Sequence, residues 1–293
     1  MTRRLLFMAA LVLSLALTGC GDLRPARTGP PVVVASFYPL QFVGARVSGA
    51  AVTSLTRPGV EPHDLELRPR DVATAHDADV LVYLRGFQPA VDDVADRLGT
   101  RAVDVSPAAS LDVASEEDAG SRDPHFWLDP TRLAAVAGLV ADRLAATDPA
   151  GAAGYRQRAT ALEAELRSLD ADFRAGLASC ASRDLVTGHA AFGYLARRYD
   201  LVQRAVTGLS PDTEPSSGDL ARITRFVRDN GVRTVYTESL VSPALARTVA
   251  SSAGARTAVL DPLEGLADGA TGSDYLTVMR ANLATLRAGQ GCT

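Results

Sequence analysis

Short apolar runs alternate with longer stretches of helical period along most of this chain. Residues 31–36 (PVVVAS), 52–56, 80–84 and 102–105 are dense in Val, Ala and Leu and read as buried strands. Helical patterns over 70–78 and 89–98 lie between them. The second half repeats the scheme, with strands predicted at 184–187, 201–206, 234–237 and 257–260 and helices at 190–199, 217–230 and 243–253. Strands separated by helices imply parallel sheets covered on both faces, an α/β fold. No short sequence repeat relates the halves. Between them Tyr155, Ala159, Leu162, Leu166, Leu169, Phe173 and Leu177 recur at spacings of three and four, the stripe of one amphipathic helix. Asp148-Pro149 supplies its start, since proline is tolerated in a first turn. At a rise of ~1.5 Å per residue the helix would extend about 40 Å. The expected architecture is two parallel-sheet lobes, residues 32–148 and 180–293, joined by one rigid helix over 149–179.

The N-terminus has a different pattern. Arg3 and Arg4 precede residues 5–17, an apolar run interrupted only by Ser14. That run is too short to span a bilayer as a helix and reads as the core of a secretory signal over 1–19. It ends in Leu17-Thr18-Gly19-Cys20, which resembles a bacterial lipobox. The resemblance implies that Cys20 is acylated and becomes the new N-terminus, each buried CH₂ of its acyl chains contributing about 0.8 kcal/mol to membrane attachment. Residues 20–31, with Pro25, Gly29, Pro30 and Pro31, read as a tether. The expected location is the extracytoplasmic face of the cell membrane. Of the three cysteines, lipid would occupy Cys20; Cys180 and Cys292 are expected to form a disulfide fastening the C-terminal tail, the alternative being two independent thiols.

Composition changes this picture little. With 47% hydrophobic and 22% charged residues the chain suits a folded globular protein. Every basic residue is arginine, and the net charge of −4 comes without a basic run. Nucleic-acid binding therefore has no electrostatic footprint.

The candidate chemistry rests on the four histidines. His63 follows a predicted strand in PGVEPHDLE, His125 lies in DPHFWLDP ahead of a helix, and His189 follows the strand 184–187. Asp261 likewise follows a strand, in VLDP. Open α/β sheets place ligands at the C-terminal ends of their strands, so two such residues from each lobe would meet in the cleft between lobes. Glu61, Glu238 and Asp129 are competing carboxylates in similar positions, and Glu214 lies in a polar loop. His76 sits near the end of a predicted surface helix and is expected to take no part.

The ordered segments PGVEPHDLELRPRDV, DPHFWLDP, LVTGHAAFGYLARRY, YTESLVSP and VLDPLEGL resemble the zinc/manganese solute-binding proteins of bacterial ABC importers, from about residue 32 to the end. The resemblance implies a metal held between two α/β lobes by His63, His125, His189 and Asp261. Manganese-type members tend to carry glutamate at the third position, where this chain has His189. Three imidazoles and a carboxylate also suit tetrahedral Zn²⁺, whereas Mn²⁺ prefers more oxygen donors. Many zinc-type members carry a long histidine-rich loop before the second ligand; residues 114–122 (ASEEDAGSR) are short and acidic instead. The expected function is a monomeric, non-enzymatic Zn²⁺ receptor that delivers its cargo to an ABC permease. The alternatives are a manganese-binding homologue, a zinc hydrolase using Glu61 or Glu238 as general base, and a surface adhesin.

Overall fold

The computed structural model describes residues 29–114, 122–266 and 274–293. The expected signal segment, Cys20 and most of the tether lie outside the described residues, as does most of the acidic segment. Two sheets organise the rest. The first contains β1 (Val33–Ala35), β2 (Thr53–Ser54), β3 (Val80–Tyr83) and β4 (Ala102–Asp104), all parallel, in the order β2-β1-β3-β4. The second contains β5 (Asp184–Thr187), β6 (Val202–Ala205), β7 (Thr234–Thr237) and β8 (Arg256–Val259), also parallel, in the order β6-β5-β7-β8. The halves thus share a topology without sharing a sequence.

Helices complete each lobe: α1 (Tyr38–Ser48), α2 (Pro69–Asp77), α3 (Pro89–Leu98), α4 (Ser106–Ala109) and α5 (Pro130–Thr147) in the first, and α7 (Gly193–Arg198), α8 (Ser217–Asp229), α9 (Ala244–Ala253) and α10 (Tyr275–Gln290) in the second. Between them runs α6 (Ala152–Gly176), whose Tyr155, Ala159, Leu162, Leu166, Leu169 and Phe173 are all buried. Its larger side chains each gain roughly 1.5–3 kcal/mol from burial. Pro149 is taken up in a 3₁₀ turn over Pro149–Gly151, so the α-helix proper begins at Ala152, later than the sequence implied.

Alternation along the strands sorts their side chains onto two faces. Val33, Ala35, Val80 and Val82 turn inward, whereas Val34, Leu81 and Tyr83 cluster with residues of α2 and α3. In the second sheet Leu185 and Tyr236 turn inward, while Val186 and Val235 cluster with α8 and α9. The inward residues of both sheets join α1, α5, α6 and α10 in one continuous core. Such a core couples the lobes, because any swing of one against the other would expose packed apolar surface. Cys180 and Cys292 are bonded, tying the segment after α6 to the chain beyond α10.

Candidate metal site

Four side chains converge where the two lobes face each other. His63 comes from the loop after β2, His125 from the residue before a 3₁₀ turn (Phe126–Leu128) that leads into α5, His189 from the end of β5, and Glu264 from the loop after β8. Glu264 Oε1 lies 3.1 Å from His63 Nε2, 2.8 Å from His125 Nε2 and 3.2 Å from His189 Nε2. His63 Nε2 and His125 Nε2 are 3.3 Å apart. Ligand atoms at ~2.0–2.2 Å around a tetrahedral Zn²⁺ stand about 3.3 Å from one another, close to these spacings.

Two of the imidazoles are held by carboxylates on their far side. His125 Nδ1 lies 2.7 Å from Asp123 Oδ1, which also accepts the His125 backbone N–H at 2.8 Å. Glu238 does the same for His189, accepting its backbone N–H at 2.9 Å on Oε1 and facing Nδ1 with Oε2. A carboxylate can only accept, so Nδ1 carries the proton in both neutral rings and the Nε2 lone pairs point inward. Lone pairs and a carboxylate oxygen converging in a buried space repel unless a cation or protons sit among them. Glu264 Oε2 adds to this, being buried with no hydrogen-bond partner. The donor set therefore fits a divalent metal ion.

Without metal the site binds protons instead. Burial opposes charge on His189, but the Glu264 and Glu238 carboxylates outweigh it and push its pKa up to about 10. Burial likewise opposes charge on His125, yet Asp123 and Glu264 raise it. His63 is held below its usual value by burial, against the pull of Glu264. Burial would raise Glu264, but the charged form of His189 and the hydrogen bonds of all three histidines keep it well below the usual carboxylate range.

Local sequence explains the shape of the cradle. Gly188 leaves room for Glu238, because a Cβ there would come within 2.6 Å of Glu238 Oε1 and displace it. The loop bearing His63 is pinned by the buried Gln88, whose Nε2 donates to Pro62 O at 3.1 Å, and by Glu61, whose carboxylate accepts the His63 N–H at 2.9 Å. Phe87 meets the His63 ring edge-on at a centroid distance of 4.8 Å. Across the cleft Trp127 Nε1 donates to Pro262 O at 2.8 Å, fixing the Glu264 loop to the element that carries His125.

The sequence expectation needs one correction. Asp261 is not in the cluster. Its Oδ1 accepts the Leu263 N–H at 2.7 Å in a local turn and its Oδ2 accepts the Ser239 hydroxyl at 2.7 Å, so both oxygens are engaged away from the cluster. Glu264, three residues later and 1% exposed, occupies the place expected for Asp261. Of the competing carboxylates, Glu238 backs His189, while Asp129 caps α5 by accepting from Thr131 N at 2.9 Å. His76 lies on α2, outside the cluster.

Known proteins show the same arrangement of chain. The family model described as "Zinc-uptake complex component A periplasmic" (ZnuA) matches residues 33–289. The zinc-binding lipoprotein AdcA of Streptococcus pneumoniae is 34% identical over 304 residues, covering 97% of this chain and 60% of that protein. This chain thus spans about three-fifths of that relative's length. The high-affinity zinc uptake system protein ZnuA of Bacillus subtilis is 32% identical over 274 residues, covering 87% of this chain and 86% of that one. The crystal structure of the Zn(II)-bound ZnuA-like domain of S. pneumoniae AdcA superposes with a TM-score of 0.76 at 36% identity, covering 89% of this chain and 99% of that one. The chain belongs to the ZnuA family of zinc-uptake solute-binding proteins.

Proposed function

We propose that this protein is an extracytoplasmic receptor that captures Zn²⁺ between its lobes and hands it to the permease of an ABC importer. The observation that carries the reading is the convergence of three Nε2 atoms and Glu264 Oε1, with two of the rings locked by Asp123 and Glu238. His63, His125, His189 and Glu264 would each give one bond, and Glu264 would cancel one of the two cation charges. Four protein donors leave zinc no open position for an activated water, which favours binding and release over hydrolysis. Glu238, a general base in the hydrolase alternative, has both oxygens committed to His189. Three nitrogens among four donors favour zinc over manganese.

Attachment through an acylated Cys20 and action as a monomer belong to the same proposal; among the described residues no helix is long and apolar enough to cross a membrane. Titration of metal-free protein with Zn²⁺ and Mn²⁺ against a competing chelator tests the reading. One tight equivalent of zinc that excess manganese does not displace is expected; manganese outcompeting zinc would favour the manganese-binding alternative.

A further inference from the structure

The loop after β8 contains a device whose purpose is visible only once Glu264 is placed. Leu263, a fully buried leucine, adopts φ +57°, a left-handed conformation that non-glycine residues adopt rarely and keep only where their surroundings impose it. Here the Leu263 side chain is packed in the core, and the backbone before it is held by Asp261. Its Oδ1 accepts the Leu263 N–H and its Oδ2 accepts the Ser239 hydroxyl, both at 2.7 Å. Its backbone is gripped from both sides by Asn282 of α10, which accepts the Asp261 N–H at 3.0 Å and donates to Asp261 O at 2.7 Å. The residue between, Pro262, has its carbonyl held by Trp127. Asp261 is thus fixed to α10 and to the segment after β7, and one of its oxygens holds the Leu263 N–H at the turn that leads into Glu264. That bend delivers the Glu264 carboxylate to the three imidazoles.

We infer that Asp261 is a positioning residue for metal binding: it holds the left-handed turn at Leu263 and acts on zinc through Glu264. The inference rests on the zinc-receptor reading above. It separates two carboxylates, three residues apart, into one that touches the metal and one that aims it.

The test is a double-mutant cycle on zinc affinity, using the full-length chain in detergent and chelator competition. Asp261→Ala should weaken zinc binding by roughly 10- to 100-fold, the usual loss when a partner that orients a ligand is removed. In a Glu264→Ala background, where three histidines still hold the ion more weakly, the same substitution should change affinity little, because its route to the metal is gone. Asp261→Asn, which keeps an oxygen for the Leu263 N–H, should stay near the parent. A merely structural aspartate would lower affinity equally in both backgrounds. That result, in a parent that binds zinc tightly, would overturn the role assigned to Asp261 and leave the receptor reading intact. A parent that takes up no zinc would overturn the receptor reading itself.

Discussion

Acidification should release zinc from this site, and the structure sets the size of the effect. With no metal bound, His189 holds its proton up to about pH 10, because the carboxylates of Glu264 and Glu238 outweigh the cost of burying its charge. Zinc needs the Nε2 lone pair, so binding must eject that proton. The raised value lies roughly three pH units above neutrality, so the ejection costs about 4 kcal/mol at pH 7. Each further unit of acidity adds about 1.4 kcal/mol, which is a tenfold loss of affinity per proton released. The sign follows from the direction of the shift: a raised value means the empty site holds a proton throughout neutral pH, and affinity falls continuously as pH falls. His125 is raised for the same reason and adds a second proton wherever the pH lies below its own value. His63 is shifted the other way, held low by burial, so it adds less to the proton count. Between pH 8 and pH 6 the apparent zinc affinity should therefore drop by at least about 100-fold. Calorimetry in buffers of different protonation enthalpy counts the protons directly, and chelator competition gives the slope. Glu238→Gln removes one of the charges that raise His189, so its pKa should fall and ejecting its proton should cost less at a given pH. A parent affinity that is flat between pH 6 and pH 8, with no proton release, would refute the account of the site's electrostatics.

Other consequences are simpler to check. His63→Ala, His125→Ala and His189→Ala should each sharply weaken zinc binding, while His76→Ala on α2 should leave a chelator-competition curve unchanged. Gly188→Ala places a Cβ 2.6 Å from Glu238 Oε1, so it should dislodge that carboxylate and weaken zinc binding by roughly 10- to 100-fold; parent-like affinity would mean that Glu238 does not orient His189. The bond between Cys180 and Cys292 closes a separation of 112 residues, and Cys292→Ser should lower unfolding free energy by about 2–5 kcal/mol. Denaturant midpoints that coincide with and without the bond would contradict that.

Much of the scaffold was legible because burial on both faces makes parallel strands read as apolar runs. The stretches 80–84 and 234–237 differ from β3 and β7 by one residue at most. The stripe from Tyr155 to Phe173 was equally plain, since a helix packed along one face must repeat every three to four residues. The partners of the histidines were less accessible. Asp123 lies two residues before His125 and its role could be suspected locally, whereas Glu238 reaches His189 only because β5 and β7 are neighbours in the sheet. Asp261 misled for a physical reason. It is the first carboxylate after β8, but an aspartate before proline is also a strong turn former, bonding the backbone two residues on. Nothing in the sequence marks Leu263 as left-handed, and without that bend the position of Glu264 cannot be derived.

The central claim is that one zinc ion is held by His63, His125, His189 and Glu264, and a crystal structure of the zinc-loaded protein with anomalous diffraction at the zinc edge tests it most directly. The account predicts a single strong peak within about 2.0–2.2 Å of the three Nε2 atoms and a Glu264 oxygen, with Asp261 still bonded to Leu263 and Ser239. A peak coordinated by Asp261 in place of Glu264, or one lying outside the three imidazoles, would contradict it.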